Sequence, residues 1–359
     1  MSEFINKTAR KELIDMVPYQ SARRLFSSSD SNSTQGRLWL NANEAPGEGQ
    51  YQLNDCNINR YPDFQPDNLL NAYSDYCELP KENILATRGA DEGIELIIRA
   101  FCKAYQDSIL ICPPTYGMYA ISAENHGAEI IKAPLVENQL DINSLKRQVG
   151  KVKVVFLCSP GNPTGNLLAQ SQIIEVLNLF KGSAAVVVDE AYIEFSPQNS
   201  VASLLEENEH LIILRTLSKA FALAGLRCGF TLASKEIITL LSKIIAPYPI
   251  SAPVAAIASE ALQSELGKMK SRVDGINNRR ESLSLWLESQ TWCQQVFSSD
   301  ANFILFRCVN ENEKTRLFNL LVSHQILIRD QSAQPQLENC LRISIGSEKE
   351  LAQLQEVLS

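Results

Sequence analysis

Short apolar runs separated by amphipathic stretches set the rhythm of this chain. Runs at 108–112, 129–133, 152–157, 184–188 and 211–215 are rich in valine, isoleucine and leucine, and a further candidate strand lies at 229–232. Several are apolar at every position rather than at alternate ones, as strands of a parallel sheet covered on both faces would be. The segment 91–102 carries Ile94, Ile97, Ile98 and Phe101 at helical spacing, a stripe suited to packing on a sheet. Alternation of this kind predicts an α/β fold, a mainly parallel sheet with helices on both faces. From about residue 260 the pattern changes, and helices over 277–289 and 313–324 interleave with short strands at 303–306 and 341–345. A smaller α+β domain is expected there. The resulting division is an N-terminal arm over 1–40, a large domain over 41–262 and a small C-terminal domain over 263–359. The arm has too little apolar content to fold alone and is expected to pack on the second domain or on a partner subunit. Its serine-rich segment 27–36 is low in complexity and reads as a surface loop with no fold assigned.

Composition narrows the functions that such a fold could serve. The 359 residues suffice for about two domains at ~150 residues each. A formal net charge of −8 argues against a partner that is nucleic acid or an anionic membrane surface. It leaves room for small anions, because a few arginines inside a pocket override the net sign. The start lacks an apolar run of signal-peptide length, and no stretch approaches the ~20 apolar residues of a membrane span. The expected compartment is the cytoplasm. The nine cysteines form no Cys-x-x-Cys pair and are expected to be reduced and structural. His126, His210 and His324 lack ligand spacing, so no metal is expected.

Chemistry concentrates where strands end. In Val186-Val187-Val188-Asp189-Glu190-Ala191-Tyr192, an aspartate follows a buried strand at its carboxyl end, where open α/β sheets bind ligands. A buried carboxylate needs a cationic or hydrogen-bonding partner, and a protonated pyridine nitrogen is one. Tyr192 could present its hydroxyl to the same ligand. Taken alone, the segment equally describes a strand-end turn with a satisfied Asp. In Leu214-Arg215-Thr216-Leu217-Ser218-Lys219, the lysine follows an apolar strand. There it can be partly desolvated, favouring the neutral amine that imine formation requires; most lysines, by contrast, are solvated charges. Ala224-Gly225-Leu226-Arg227-Cys228-Gly229 sets an arginine between glycines, where a guanidinium can approach a phosphate closely, and Ser218 could add a hydrogen bond. Thr87-Arg88-Gly89-Ala90-Asp91 opens the amphipathic helix, and helix-start amides bind phosphate. The segment matches neither a Walker loop nor a dinucleotide fingerprint. Finally, Cys158-Ser159-Pro160-Gly161-Asn162-Pro163-Thr164-Gly165 makes an irregular turn that presents Asn162 inward. Each feature is moderate alone; their order on one sheet is far more specific.

That order resembles the fold-type I pyridoxal phosphate-dependent aminotransferases of classes I and II over nearly the whole chain. The resemblance implies a pyridoxal 5'-phosphate cofactor held as a Schiff base on Lys219, which also shuttles the proton between substrate carbon and cofactor C4′. It further implies that Asp189 holds the pyridine nitrogen, that Asn162 and Tyr192 bond the phenolate oxygen, and that Tyr116 stacks on the ring. Ala90, Asp91, Ser218 and Arg227 would cradle the cofactor phosphate. Tyr61, in Asn59-Arg60-Tyr61-Pro62-Asp63, matches the tyrosine that reaches the neighbouring subunit's cofactor, which implies a homodimer with shared active sites. Further matching stretches surround Tyr19, Trp39, Asn43, Arg329 and Arg342. They resemble a narrower branch of the family that moves an amino group between a phosphate monoester and 2-oxoglutarate, with Tyr19, Asn43, Arg329 and Arg342 lining the substrate site. For the two arginines the competing explanation is a surface ion pair. Arginine suits the role because it can hold a phosphate in one half-cycle and a carboxylate in the other.

Three alternatives stand beside this reading. A related enzyme on the same fold, an aromatic aminotransferase or a threonine-phosphate decarboxylase, would divide Arg329 and Arg342 differently between substrate anions. A pyridoxal phosphate-binding regulator would need a basic DNA-binding module, for which there is no room before Trp39. A nicotinamide-dependent dehydrogenase would need the glycine fingerprint that is missing.

Overall fold

The computed structural model describes residues 13–14, 16–17, 37–46 and 58–359. Tyr19 and the serine-rich segment 27–36 lie outside the described residues. The larger sheet has seven strands in the order β2 (Ile84–Thr87), β8 (Gly229–Ala233), β7 (Leu211–Thr216), β6 (Ala185–Asp189), β5 (Val154–Cys158), β3 (Ser108–Ile111) and β4 (Glu129–Lys132). From β7 to β4 every pairing is parallel, whereas β8 runs antiparallel to both β7 and β2. The sheet is therefore mainly parallel, as the apolar runs predict.

Why those runs are apolar throughout is visible in how they pack. Val155, Leu157, Val186, Val188 and Ile213 belong to one apolar cluster, and Val154, Phe156, Val187, Ile212 and Leu214 belong to another on the opposite face. Alternate side chains of a strand point to opposite faces, so a sheet with helices on both sides needs an apolar residue at every position. The second face carries α2 (Gly89–Phe101) and α3 (Met118–His126), through Ile94, Ile97, Ile98, Tyr119 and Ala123. The first face carries α1 (Asp67–Cys77), whose Leu69 and Tyr73 join its cluster.

The smaller sheet is antiparallel, in the order β12 (Arg329–Asp330), β13 (Cys340–Ser344), β10 (Phe303–Cys308), β9 (Cys293–Val296). Phe303, Phe306, Leu341 and Ile343 share the apolar cluster of the first face, so one continuous core ties the two sheets together. The helix expected at 277–289 is in fact Leu266–Glu288. Its first half is too polar to show a helical stripe, but Met269, Val273 and Ile276 are buried, and tertiary packing decides its length. The short strand β1 (Leu38–Trp39) pairs in parallel with β11 (Ile326–Leu327). Beyond it, the backbone N–H of Ser344 donates to the Leu40 carbonyl at 2.9 Å, and that of Asn43 donates to the Ser344 hydroxyl at 2.8 Å. The described residues 37–43 thus run along the smaller sheet and deliver Asn43 to the gap between the two sheets.

Among the described residues, no helix is long and apolar enough to cross a membrane, and the eight cysteines are free thiols.

Candidate active site

The carboxyl ends of β5, β6 and β7 lie side by side, with Cys158 opposite Asp189 and Asp189 opposite Leu214. Above them opens a cavity of about 550 Å³, closed on its far side by Asn43, Arg329 and Arg342. Many charged and polar side chains line it although the surrounding sheet is apolar.

Asp189 ends β6 and is 3% exposed. The phenol of Tyr119 donates to its Oδ2 at 2.6 Å, and the backbone N–H of Ala191 donates to Oδ1 at 3.1 Å. Burial pushes the carboxyl up to about 6, while these two donors pull it back down. Holding a carboxylate in that position costs the fold about 3 kcal/mol at neutral pH. A cation bound in the cavity would relieve that cost. The neighbouring Glu190 faces away, into a buried pair with Arg215 at 2.8 Å, and its Oε1 accepts the Val201 amide at 2.7 Å. This pair joins β6 to β7 just behind the site.

Lys219 follows β7 in the next turn. Burial pushes its amine down to about 8, and the positive charge of Arg342 adds to the effect. Its Nζ donates to the Ala42 carbonyl at 3.3 Å and lies 5.5 Å from the centroid of the Tyr192 ring. About a tenth of this amine is therefore neutral, and nucleophilic, at pH 7, far more than for a solvated lysine. Lys219 and Asp189 line the same cavity, and the carboxylate feels the lysine's charge.

An anion cup adjoins them. The first turn of α2 brings Ala90 and Asp91 to the cavity wall, where helix-start amides have no intrahelical acceptor. Arg227 donates to the Ser218 hydroxyl at 3.3 Å and to Asp91 Oδ2 at 3.2 Å. The Asp91 carboxylate also accepts the Tyr116 hydroxyl at 3.0 Å, so it positions both side chains, and its contribution to an anion would come from its backbone amide. Close approach is built in. At Gly229 a Cβ would lie 2.5 Å from the Gly89 carbonyl carbon and 2.6 Å from the Ala90 nitrogen. We expect Gly229→Ala to displace the start of α2 and to destabilise the protein by about 1–3 kcal/mol, the range for overpacked sites. Thermal unfolding and anion affinity, measured together, would show it. Unchanged values of both would mean that the cup does not depend on this approach.

The opposite wall is a hydrogen-bonded series. Asn43 and Asn162 both donate to the Tyr192 oxygen, at 3.0 and 3.3 Å, and Arg342 donates to the Asn162 side-chain oxygen. Arg342 also donates to the Asn41 carbonyl at 3.1 Å and lies over Phe303, 5.1 Å from the ring centroid. Arg329 and Arg342 face each other as direct partners across the β12–β13 ladder, and both line the cavity. Like charges opposite one another destabilise a sheet, a cost that an anion between them would lower.

Lys219, Asp189, Tyr192, Ala90, Asp91, Tyr116, Asn162, Ser218, Arg227, Asn43, Arg329 and Arg342 all meet at this cavity. Of the expected site residues, Tyr61 alone among the described ones is elsewhere. It is 81% exposed and stacks on Tyr248 with ring centroids 4.4 Å apart. The sequence reading misses Tyr119, Ala42, Thr115, Gln331 and Gln334. Tyr119 carried a faint signal, because a tyrosine on the buried stripe of a helix needs a partner for its hydroxyl. The cavity fits a ring with a cationic nitrogen, an electrophilic carbon and a phosphate: a buried acid, a desolvated amine and an anion cup where side chains are sterically excluded.

Comparison with known proteins is consistent with this chemistry. The model of the family described as aminotransferase class I and II matches residues 30–358. A histidinol-phosphate aminotransferase of Colwellia psychrerythraea is 67% identical, with 99% of each chain covered. One of Pectobacterium atrosepticum is 49% identical, covering 96% of this chain and 95% of that one. Among solved structures, histidinol-phosphate aminotransferase from Sinorhizobium meliloti in complex with pyridoxal-5'-phosphate superposes with a TM-score of 0.84 at 23% identity, covering 98% of both chains. That likeness shows the fold.

Proposed function

The chain belongs to the class I and II aminotransferases, and we propose that it transfers an amino group reversibly between L-histidinol phosphate and 2-oxoglutarate, giving imidazole acetol phosphate and L-glutamate, in L-histidine biosynthesis. The observation that carries this reading is the cross-strand pair Arg329 and Arg342 beside the Lys219 amine. Two guanidinium groups at one ladder position can hold a phosphate in one half-cycle and a carboxylate in the next.

When bound, pyridoxal phosphate supplies an aldehyde carbon for the amine and a protonated ring that withdraws electrons from the substrate carbon. The chain's own residues do the rest. Asp189 would counter the ring nitrogen's charge, its carboxylate oriented by Tyr119 and Ala191. Asn162 and Tyr192 would hydrogen-bond the phenolate oxygen, and Tyr116 would cover the ring. The amides of Ala90 and Asp91, with Ser218 and Arg227, would hold the cofactor phosphate. Lys219 would anchor the cofactor covalently and, once displaced by substrate, move a proton between the substrate carbon and C4′. Asn43 would complete the substrate wall; Tyr19, outside the described residues, is expected to contact substrate from the family resemblance alone. The exposure of Tyr61 and its stacking on Tyr248 support a homodimer, in which Tyr61 would reach the second copy's cofactor phosphate. Cytoplasmic location accords with the reduced thiols.

The test is an amino-donor screen of the purified protein with 2-oxoglutarate as acceptor. We expect turnover of L-histidinol phosphate to exceed that of phenylalanine and tyrosine, which lack a phosphate, by at least about 10²-fold in kcat/KM, a discrimination of the size charged recognition provides. Absence of turnover with histidinol phosphate would overturn the assignment.

A further inference from the structure

Two glutamines line the cavity next to the arginines, and they are in opposite states. Gln334 is committed: its Oε1 accepts the Thr115 amide at 3.0 Å and its Nε2 donates to the Thr115 carbonyl at 3.2 Å. It clasps the loop that carries Tyr116. Gln331 is 8% exposed, lines the same cavity, and its side-chain amide has no hydrogen-bond partner among the described residues. The residue is largely buried, but its amide is not among the polar atoms sealed from solvent; the amide opens onto the cavity, where a group that enters can meet it.

Its place on the chain says what. The backbone N–H of Gln331 donates to the Cys340 carbonyl at 3.0 Å, extending the β12–β13 pairing by one residue beyond Arg329↔Arg342 and Asp330↔Leu341. Side chains two apart on a strand share a face. Asp330 therefore points the other way, to Lys314 at 3.0 Å, while Arg329 and Gln331 face the cavity together. A donor beside two arginines meets an anion. A carboxylate has two coplanar oxygens, which the N–H groups of two guanidiniums left over from their bonds within the chain can satisfy. A phosphate monoester has three terminal oxygens in a tetrahedral arrangement, so one oxygen is left for a further donor.

We propose that Gln331 is a specificity-determining residue: its Nε2 donates to the third oxygen of the phosphate monoester substrate, and it contributes little when a dicarboxylate occupies the site. The inference rests on the reaction assigned above and identifies which side chain separates that reaction's two substrates.

The two half-reactions of the holoenzyme test it, followed separately by the cofactor's absorbance change in single-turnover experiments with L-histidinol phosphate or L-glutamate. Gln331→Leu keeps the side chain's approximate size and removes the donor. We expect kcat/KM for histidinol phosphate to fall about 10- to 100-fold, the effect of one hydrogen bond to a charged group, mostly through KM. The glutamate half-reaction should change by less than about threefold, which also shows that the variant is folded. Gln331→Glu, isosteric but an acceptor, should lose more with the phosphate ester than Gln331→Leu does. Equal losses with both substrates, a loss confined to glutamate, or no loss would overturn the role of Gln331 while leaving the reaction intact. A wild-type enzyme that ignores histidinol phosphate would overturn both.

Discussion

Lys219→Ala is expected to reduce transamination by about four orders of magnitude, the upper end of what a positioned proton-transfer group contributes. The cause is local. Lys219 is the amine at the cavity whose charge is suppressed by burial and by Arg342, and its ammonium would be useless both as nucleophile and as base. The cofactor should still bind, because Asp189 and the anion cup remain. It should no longer be fixed to the chain by borohydride, and its absorbance should be that of the free aldehyde. The fold should be no weaker, since a buried amine is removed. The sign of the pH effect in the wild type follows from the same displacement. The amine is held down at about 8, so covalent attachment of cofactor to the apo protein should accelerate as pH rises and level off above about 8. In Lys219→Ala no attachment should occur at any pH. Wild-type turnover by the variant would place the nucleophile elsewhere.

Asp189→Asn should cost about two to three orders of magnitude in kcat, comparable to removing one preorganised electrostatic group from an active site, with little loss of stability. An amide cannot counter a pyridinium charge, so the ring would lose its proton and much of its electron-withdrawing power. The fold has little reason to object. The amide oxygen can accept the Ala191 N–H, and the new NH₂ can donate to the Tyr119 oxygen, replacing the two bonds that Asp189 accepts. Removing a carboxylate that burial pushes up to about 6 offsets most of what is lost, leaving a change within about 1 kcal/mol. Activity and thermal unfolding measured on one preparation separate the two effects. Near-wild-type turnover, or unfolding that tracks the activity loss, would remove Asp189 from the role assigned to it.

The site was legible in the sequence to the degree that its chemistry sits next to strand ends. Asp189 directly terminates an apolar run and Lys219 follows another by three residues. In a parallel sheet all such ends share one edge, so position along the chain became position in space. The glycines flanking Arg227 and the turn around Asn162 were readable for the same local reason. Tyr119 was only faintly readable, because a buried tyrosine on a helix needs some partner for its hydroxyl, but nothing local says that the partner is Asp189. Gln331 was not readable, being one of several glutamines in a polar loop. Its significance lies in a side-chain amide with no partner among the described residues, and partners are not written in a sequence.

Periodicity, strand-end residues and turn glycines thus determined, from the sequence alone, an α/β scaffold and a lysine and an aspartate at its ligand-binding edge. The structure alone decided which residues distant in sequence meet. Asn43 reaches Tyr192 across 149 positions and Arg342 reaches Asn162 across 180, and Arg329 meets Arg342 through the register of one antiparallel ladder. Local pattern specifies a residue's face and its element. Contact across elements depends on register and on how a continuous core sets one sheet against another, and those arise only once the whole chain has packed.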